Sequence, residues 1–224
     1  MEREIRTTND GSKTLFIKDL NENYHSHHGA LQEAEHVFIK NGLNLRYDSE
    51  INILELGFGT GLNVLVSINE YLKTDKNHTV NYFTLEKYPV SAQEVSQLAY
   101  DKLFLNDKVA EMYQKIHAAE WEKQIEITKG FTLKKIQCDF FDLKDIVLPQ
   151  INLVYFDCFG ARVQPDLWEK PLFEMVAEKM SSGGLLTTYS SKGSVRRILQ
   201  DLNFRVEKKQ GPPGNREMIN AIKL

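Results

Sequence analysis

A short apolar run, Ile51–Leu56, gives way to Gly57-Phe58-Gly59-Thr60-Gly61, and then to Leu62, Leu65, Ile68 and Leu72 at helical spacing. Glycines in a strand-to-helix turn let the backbone bend tightly and approach a ligand, and the helix N-terminus behind them favours electron-rich groups. A dinucleotide site wants G-x-G-x-x-G, and Leu62 stands where its third glycine belongs. Glu86, Asp139 and Asp157 are expected at the ends of the next three strands, where open α/β sheets bind ligands. A carboxylate after the second strand can accept both hydroxyls of a ribose; one after the third can accept from an adenine amino group. Any one of them alone reads as a solvated loop acid. Three at successive strand ends beside a glycine loop read as a nucleoside site.

Positioning these residues requires alternating strands and helices. Ile51–Leu56, Val80–Glu86, Phe131–Cys138, Ile151–Phe156 and Gly184–Tyr189 read as strands, with a further extended piece at Gln124–Thr128 across Lys129-Gly130. Helices are expected after the glycine loop, over Val90 to Tyr100 with Pro89 in the first turn, through Val109, Met112, Ile116 and Ala119, from Pro171 to Met180, and through Val195 to Leu202. Alternation implies right-handed crossovers and a mostly parallel sheet. Phe204–Lys209 and Glu217–Leu224 flank the turn Gly211-Pro212-Pro213-Gly214-Asn215 and must pair antiparallel. The expected fold is therefore α/β and Rossmann-like: a twisted, mostly parallel sheet with one antiparallel C-terminal strand. Residues 1–48 are expected to be a lid or edge segment, an extended polar piece plus the helix Ala30–Lys40 stopped at Asn41-Gly42, on a main domain of residues 49–224.

The chain has 224 residues, of which 42% are hydrophobic and 26% charged, ordinary for one globular domain. No run is long and apolar enough to span a bilayer, and Met1 to Lys13 lacks the apolar core of a signal peptide, so a cytoplasmic protein is expected. The two cysteines, Cys138 and Cys158, form neither a metal set nor a disulfide framework. His25, His27 and His28 are poorly spaced for one metal in an extended piece, and no metal is expected. The net charge of −3 excludes a nucleic-acid argument from total charge. Residues 191–224, however, carry eight Lys/Arg against three acids. Such a run is a solvated face or a phosphate track.

Several segments together carry a resemblance: Tyr24-His25-Ser26-His27-His28-Gly29-Ala30-Leu31-Gln32-Glu33, ILELGFGTGLN from Ile53, LEKYPV from Leu85, DCFGARVQPDLW from Asp157, TYSSKGSVRRIL from Thr188 and GPPGNREM from Gly211. From about Tyr24 onward the chain resembles the methyltransferase domain of the bifunctional tRNA-modification enzyme MnmC and its standalone relatives, called MnmD. The resemblance implies a class I, S-adenosylmethionine-dependent fold. It also implies methylation of the aminomethyl nitrogen on C5 of a wobble uridine, often 2-thiolated, with tRNA as partner. It implies cofactor contacts from Glu55, Gly57, Phe58, Gly59, Thr60, Gly61, Glu86, Asp139 and Asp157, with Tyr24 and Glu33 closing over the cofactor. The family usually reads D-A-F-x-P after the fourth strand; here Cys158 replaces the alanine and the proline comes only at Pro165.

Asp157, with Phe156 and Phe159 around it, is expected to orient the substrate amine first and accept a proton second. An unperturbed carboxylate with a pKa of about 3.9 is a poor base for an amine near 10.4. No N-P-P-Y string follows the fourth strand, which agrees with an aliphatic amine rather than a ring amine. Tyr189 is expected to wall the pocket or stack on the base. Phe159, Ser190, Lys192, Arg196, Arg197 and Arg216 are the expected substrate and tRNA contacts. The bifunctional relatives carry a separate flavin oxidase; this chain is too short for one, and no flavin domain is expected in it. Two other readings stay open: a class I methyl- or aminopropyl-transferase acting on a small amine, and a non-catalytic nucleotide-binding module.

Overall fold

A computed structural model describes residues 2–73, 78–104 and 106–224. Its centre is an eight-stranded sheet in the order β10-β11-β9-β8-β4-β5-β7-β6. These strands are β4 (Glu50–Leu56), β5 (Thr79–Glu86), β6 (Gln124–Thr128), β7 (Phe131–Gln137), β8 (Ile151–Phe156), β9 (Met180–Thr188), β10 (Phe204–Gln210) and β11 (Glu217–Lys223). Pairings β4·β5, β4·β8, β5·β7 and β8·β9 are parallel. The mostly parallel sheet expected from the alternation is therefore present, with two refinements. The reversed C-terminal strand, β11, is inserted between β9 and β10. At the other edge β6 also runs antiparallel, as the short Lys129-Gly130 turn dictates.

Both faces of the sheet are covered, so the central strands are apolar on both sides, as parallel strands require. On one face Ile53, Tyr82, Leu153 and Tyr155 pack on α2 (Leu62–Lys73), α4 (Asp107–Ala118) and the helix from the N-terminal segment. On the other, Leu54, Leu85, Val154 and Phe156 pack on α5 (Lys170–Lys179) and α6 (Gly193–Asp201). Between α2 and α4 in sequence lies α3 (Ala92–Leu98). It starts later than the proline suggests. Ser91 Oγ accepts the Glu94 N–H at 3.2 Å and Glu94 accepts the Ser91 N–H at 2.6 Å. This reciprocal cap fixes the start, and Pro89 stays outside, its carbonyl taken by Arg3.

The N-terminal segment differs from an extended polar piece. It folds as an antiparallel meander of β1 (Arg3–Thr7), β2 (Lys13–Ile17) and β3 (Glu22–Asn23), with Leu15 and Ile17 fully buried. Helix α1 (Ala30–Ala34) continues as a π-helical turn, Glu35–Lys40, and ends at Asn41 as expected. The β1–β2 turn supplies its cap: Ser12 Oγ accepts from Ala30 N–H at 3.2 Å and Asp10 from Gln32 N–H at 3.0 Å. Val37 and Phe38 join the same core as Ile53 and Leu65, so residues 1–48 share the main domain's interior. Among the described residues, no helix is long and apolar enough to cross a membrane.

Candidate functional site

The chain enters the sheet at β4, builds outward through β5 and β7, then returns to place β8 on the other side of β4. The loops after β4 and β8 therefore leave the same edge in opposite directions and open a crevice between them. The glycine loop lies in this crevice. Gly57 and Phe58 donate to Leu85 O at 3.0 and 3.1 Å, which ties the loop to β5. Gly57, Gly59 and Gly61 have φ of +103°, +50° and +76°, a region other L-residues avoid. A Cβ on Gly57 would stand 2.8 Å from Asp157 O, and one on Gly59 would stand 3.1 Å from the Tyr24 ring. The backbone is bare there because neighbours approach it closely.

An open cleft runs along this loop. Glu86, Asp139 and Asp157 line it together. Glu86 accepts from Gly59 N–H at 3.0 Å and Tyr88 N–H at 2.7 Å. One bond per oxygen leaves acceptor capacity for two hydroxyls. Asp139 lies just past β7, where it caps the next turn through Phe141 N–H at 3.0 Å and pairs with Lys87 at 2.8 Å. The Lys87 hydrogen bond holds its carboxyl below the usual carboxylate range. Asp157 accepts from the Asn63 side-chain amide at 2.8 Å. Burial, then the facing Glu33, push its carboxyl well above the ordinary value.

A second cavity of about 720 Å³ lies beyond Asp157. The two share Tyr24, His25, Asp157, Cys158 and Phe159. Tyr24 and Phe159 meet edge-to-face at 5.0 Å in this partition. Glu22, Glu33, Tyr189 and Asn215 line only the far side. The Tyr189 hydroxyl donates to Cys158 O at 2.7 Å, which fixes the turn carrying Asp157.

Four expected site residues are elsewhere than sequence suggested. Glu55 is fully buried between β4 and β5, where it accepts from Thr84 Oγ1 at 2.6 Å, and does not reach the cleft. A β-strand alternates its faces, and this acid points inward. Gly61 packs against α4: a Cβ there would meet Phe58 at 3.1 Å and His117 at 3.2 Å. Glu33 lines the second cavity rather than the glycine-loop cleft, because the Ser26 N–H holds its carboxyl there at 2.8 Å. Ser190 is buried and lines neither cavity; its hydroxyl accepts from Lys192 N–H at 3.4 Å, ahead of α6. Phe58 and Thr60 do line the cleft. Behind Phe58 stands Lys135, 1% exposed, which donates to Ile116 O and His117 O at 2.9 and 3.1 Å and so caps α4. Burial pushes its ammonium down to about 8.

Sequence reasoning missed Asn63, although a polar residue on the first turn of an apolar helix behind a glycine loop was a usable signal. It also missed His25. Burial pushes this imidazole down to about 4, and its Nδ1 lies 3.1 Å from Thr14 Oγ1. The C-terminal cations divide into two groups. Arg205 and Lys209 pair with Glu207, and Lys208 pairs with Glu217. Lys223 caps α5 through Ala177 O and Met180 O. Among the described residues, Lys192, Arg196, Arg197 and Arg216 have no carboxylate partner.

Similarity to known proteins agrees with this crevice. Residues 104–224 match the family model described as S-adenosyl-L-methionine-dependent methyltransferase. The chain is 29% identical over 213 residues to the tRNA 5-methylaminomethyl-2-thiouridine biosynthesis bifunctional protein MnmC of Burkholderia pseudomallei. The match covers 88% of this chain and 32% of that protein, so the chain spans about a third of its relative's length. Among solved structures it is similar to MNMC2 from Aquifex aeolicus, with TM-score 0.82 and 25% identity over 99% of this chain and 70% of that one. Streptomyces venezuelae DesVI, at TM-score 0.50 and 11% identity over 87% of this chain and 92% of that one, shares the fold. A bare glycine turn at a sheet switch point, acids after β5, β7 and β8, and a family match over more than half its length lead to one assignment: this chain belongs to the S-adenosyl-L-methionine-dependent methyltransferases.

Proposed function

We propose that this chain methylates the primary amine of a 5-aminomethyl-uridine, with or without 2-thiolation, at the wobble position of tRNA. The observation that carries the reading is the pair of cavities meeting at Asp157, one along the glycine loop and one walled by acids and aromatic rings. The first fits the cofactor. Gly57 and Gly59 leave room that a Cβ would fill, Glu86 keeps lone pairs for ribose hydroxyls, and Asp139 keeps lone pairs for an adenine amino group. When bound there, S-adenosylmethionine supplies a methyl group activated on a positively charged sulfur.

The chain's own contribution is to hold the acceptor nitrogen. Asn63 fixes one Asp157 oxygen and leaves the other to accept an N–H from the amine. Its lifted pKa narrows the gap to the amine, so Asp157 also takes a proton from the bound ammonium and frees the lone pair that accepts the methyl group. Tyr24, Phe159 and Tyr189 wall off water, which favours the neutral, nucleophilic amine. Residues 1–48 act as the lid that carries Tyr24 and Glu33.

The names of the relatives support tRNA as the substrate, and so does the rim. Lys192, Arg196 and Arg197 crowd the N-terminus of α6, the end of a helix that cations destabilise. A helix N-terminus with unpaired cations suits phosphate. This substrate places the enzyme in the cytoplasm. The test is to incubate the purified protein with labelled S-adenosylmethionine and tRNA bearing aminomethyl-uridine, and to analyse the nucleosides. Methylaminomethyl-uridine is expected, and ribonuclease should abolish incorporation. Transfer to free small amines with none to tRNA would replace this reading with the small-molecule one.

A further inference from the structure

We propose that Glu33 is the residue that decides which amine the second cavity accepts, admitting a cationic primary amine and turning away its zwitterionic N-carboxymethyl derivative, whose added carboxylate the cavity cannot pair. The inference rests on the tRNA reading above and extends it to selectivity. Glu33 and Asp157 line the same cavity. Each is held by a neutral donor, Ser26 N–H at 2.8 Å and the Asn63 amide at 2.8 Å. Neither has a cation. Glu22, at the same cavity, is already paired with Arg162 at 2.7 Å. No lysine or arginine lines the cavity among the described residues; of its two histidines, His25 is held neutral by burial and the His27 ring packs on His28 at 3.9 Å.

Two carboxylates sharing a partly desolvated space cannot both ionise cheaply unless a cation joins them. Burial accordingly raises both carboxyls, and Glu33 adds to the rise at Asp157. An incoming ammonium supplies the missing charge. An N-carboxymethyl group brings a third carboxylate into the same space. Asp157 is needed for the transfer itself, so Glu33 is the acid free to act on selection alone. It makes no contact with the glycine-loop cleft.

The test uses the full chain and tRNA carrying the aminomethyl, N-carboxymethylaminomethyl or neutral hydroxymethyl group. Wild type should bind the aminomethyl form more tightly than either the hydroxymethyl or the zwitterionic N-carboxymethylaminomethyl form. In Glu33→Gln, which keeps an acceptor for Ser26 N–H, KM for the amine should rise at least about tenfold. Ki for the N-carboxymethylaminomethyl tRNA should not rise with it, so that the ratio of the two collapses. S-adenosylhomocysteine affinity by calorimetry should stay within about twofold. Glu33→Asp should recover most of the wild-type ratio. An unmoved ratio in Glu33→Gln, lost S-adenosylhomocysteine binding alongside it, or wild-type binding indifferent to the three groups would each overturn the assignment of Glu33. Wild type that transfers no methyl to aminomethyl tRNA would overturn the tRNA reading instead.

Discussion

Asp157 carries two tasks that its type alone does not distinguish. With an ordinary carboxylate pKa it can only orient an amine; burial and Glu33 lift it toward a proton acceptor's range. Asp157→Asn keeps the shape and can still hydrogen-bond, but holds no charge and takes no proton. Turnover is expected to fall by about 10² or more, with tRNA affinity changed only a few-fold. Single-turnover kinetics beside a binding titration would check this, and near-normal turnover would remove Asp157 from the site. Glu55, though two residues from the glycine loop, serves the fold instead. Its Oε1 is buried beside the Asn63 and Tyr82 side chains, and burial raises its pKa to about 7. The folded state thus holds a proton that the unfolded chain releases above about 4.3. Stability from this group is full below the unfolded value and is lost as pH rises toward 7. Glu55→Gln should remove that slope and leave the protein at least as stable at pH 8, since an amide can donate where the carboxylate cannot. Urea titrations at pH 5 and pH 8 would show it; an unchanged slope would refute it. An acid before a glycine loop reads as a ligand contact in sequence, and only its strand face reveals otherwise.

At the scale of elements, the turn of the glycine loop was legible, because positive φ and close approach are what glycine spacing encodes, although Gly61 packs on α4 rather than the cleft. Gly59→Val is expected to abolish S-adenosylmethionine binding in a protein that still folds. The new side chain meets the Tyr24 ring at 3.1 Å and demands a φ of +50°, a strain of about 1–2 kcal/mol. Calorimetry beside a thermal melt separates the two effects, and retained affinity would show that the loop does not hold the cofactor. The β6–β7 hairpin and the C-terminal hairpin were legible from their turn residues. Where β11 inserts was not, since a hairpin fixes its partner but not which sheet edge it joins. The meander was legible in principle: Asn9-Asp10-Gly11 precedes a run with buried Leu15, Phe16 and Ile17, a hairpin signal. Its polar flanks masked it. The start of α3 went to Ser91 because a reciprocal cap outweighs a proline's preference for the first turn.

Over the whole molecule, charge is sorted by use. The chain is acidic overall, yet among the described residues of its last third Lys192, Arg196, Arg197 and Arg216 stand without a carboxylate partner, around α6 and the last hairpin turn. Composition could count those cations but could not say which were already spent on Glu207, Glu217 and the end of α5. Replacing Arg196 and Arg197 together with Ala should weaken tRNA binding and lower the slope of log K against log salt by about 1–2. Fluorescence titrations across a salt series would measure it. An unchanged slope would return both to a solvated face.

The N-terminal helix has a consequence for how the chain is made. Val37 O accepts from Thr187 Oγ1, Asn41 O from the Asn220 side chain, and His36 meets Gln210 O at 2.8 Å. Residues synthesised early thus find some of their partners among residues synthesised late. At translation speeds of about 5–20 residues per second, the part of that helix that meets β9 and β11 waits roughly ten seconds or more for those strands to leave the ribosome. Nascent chains stalled before residue 217 should therefore be cut by protease within residues 30–45, and released full-length chains should not. Equal protection in both would mean that the first third of the chain finds shelter before the last third exists.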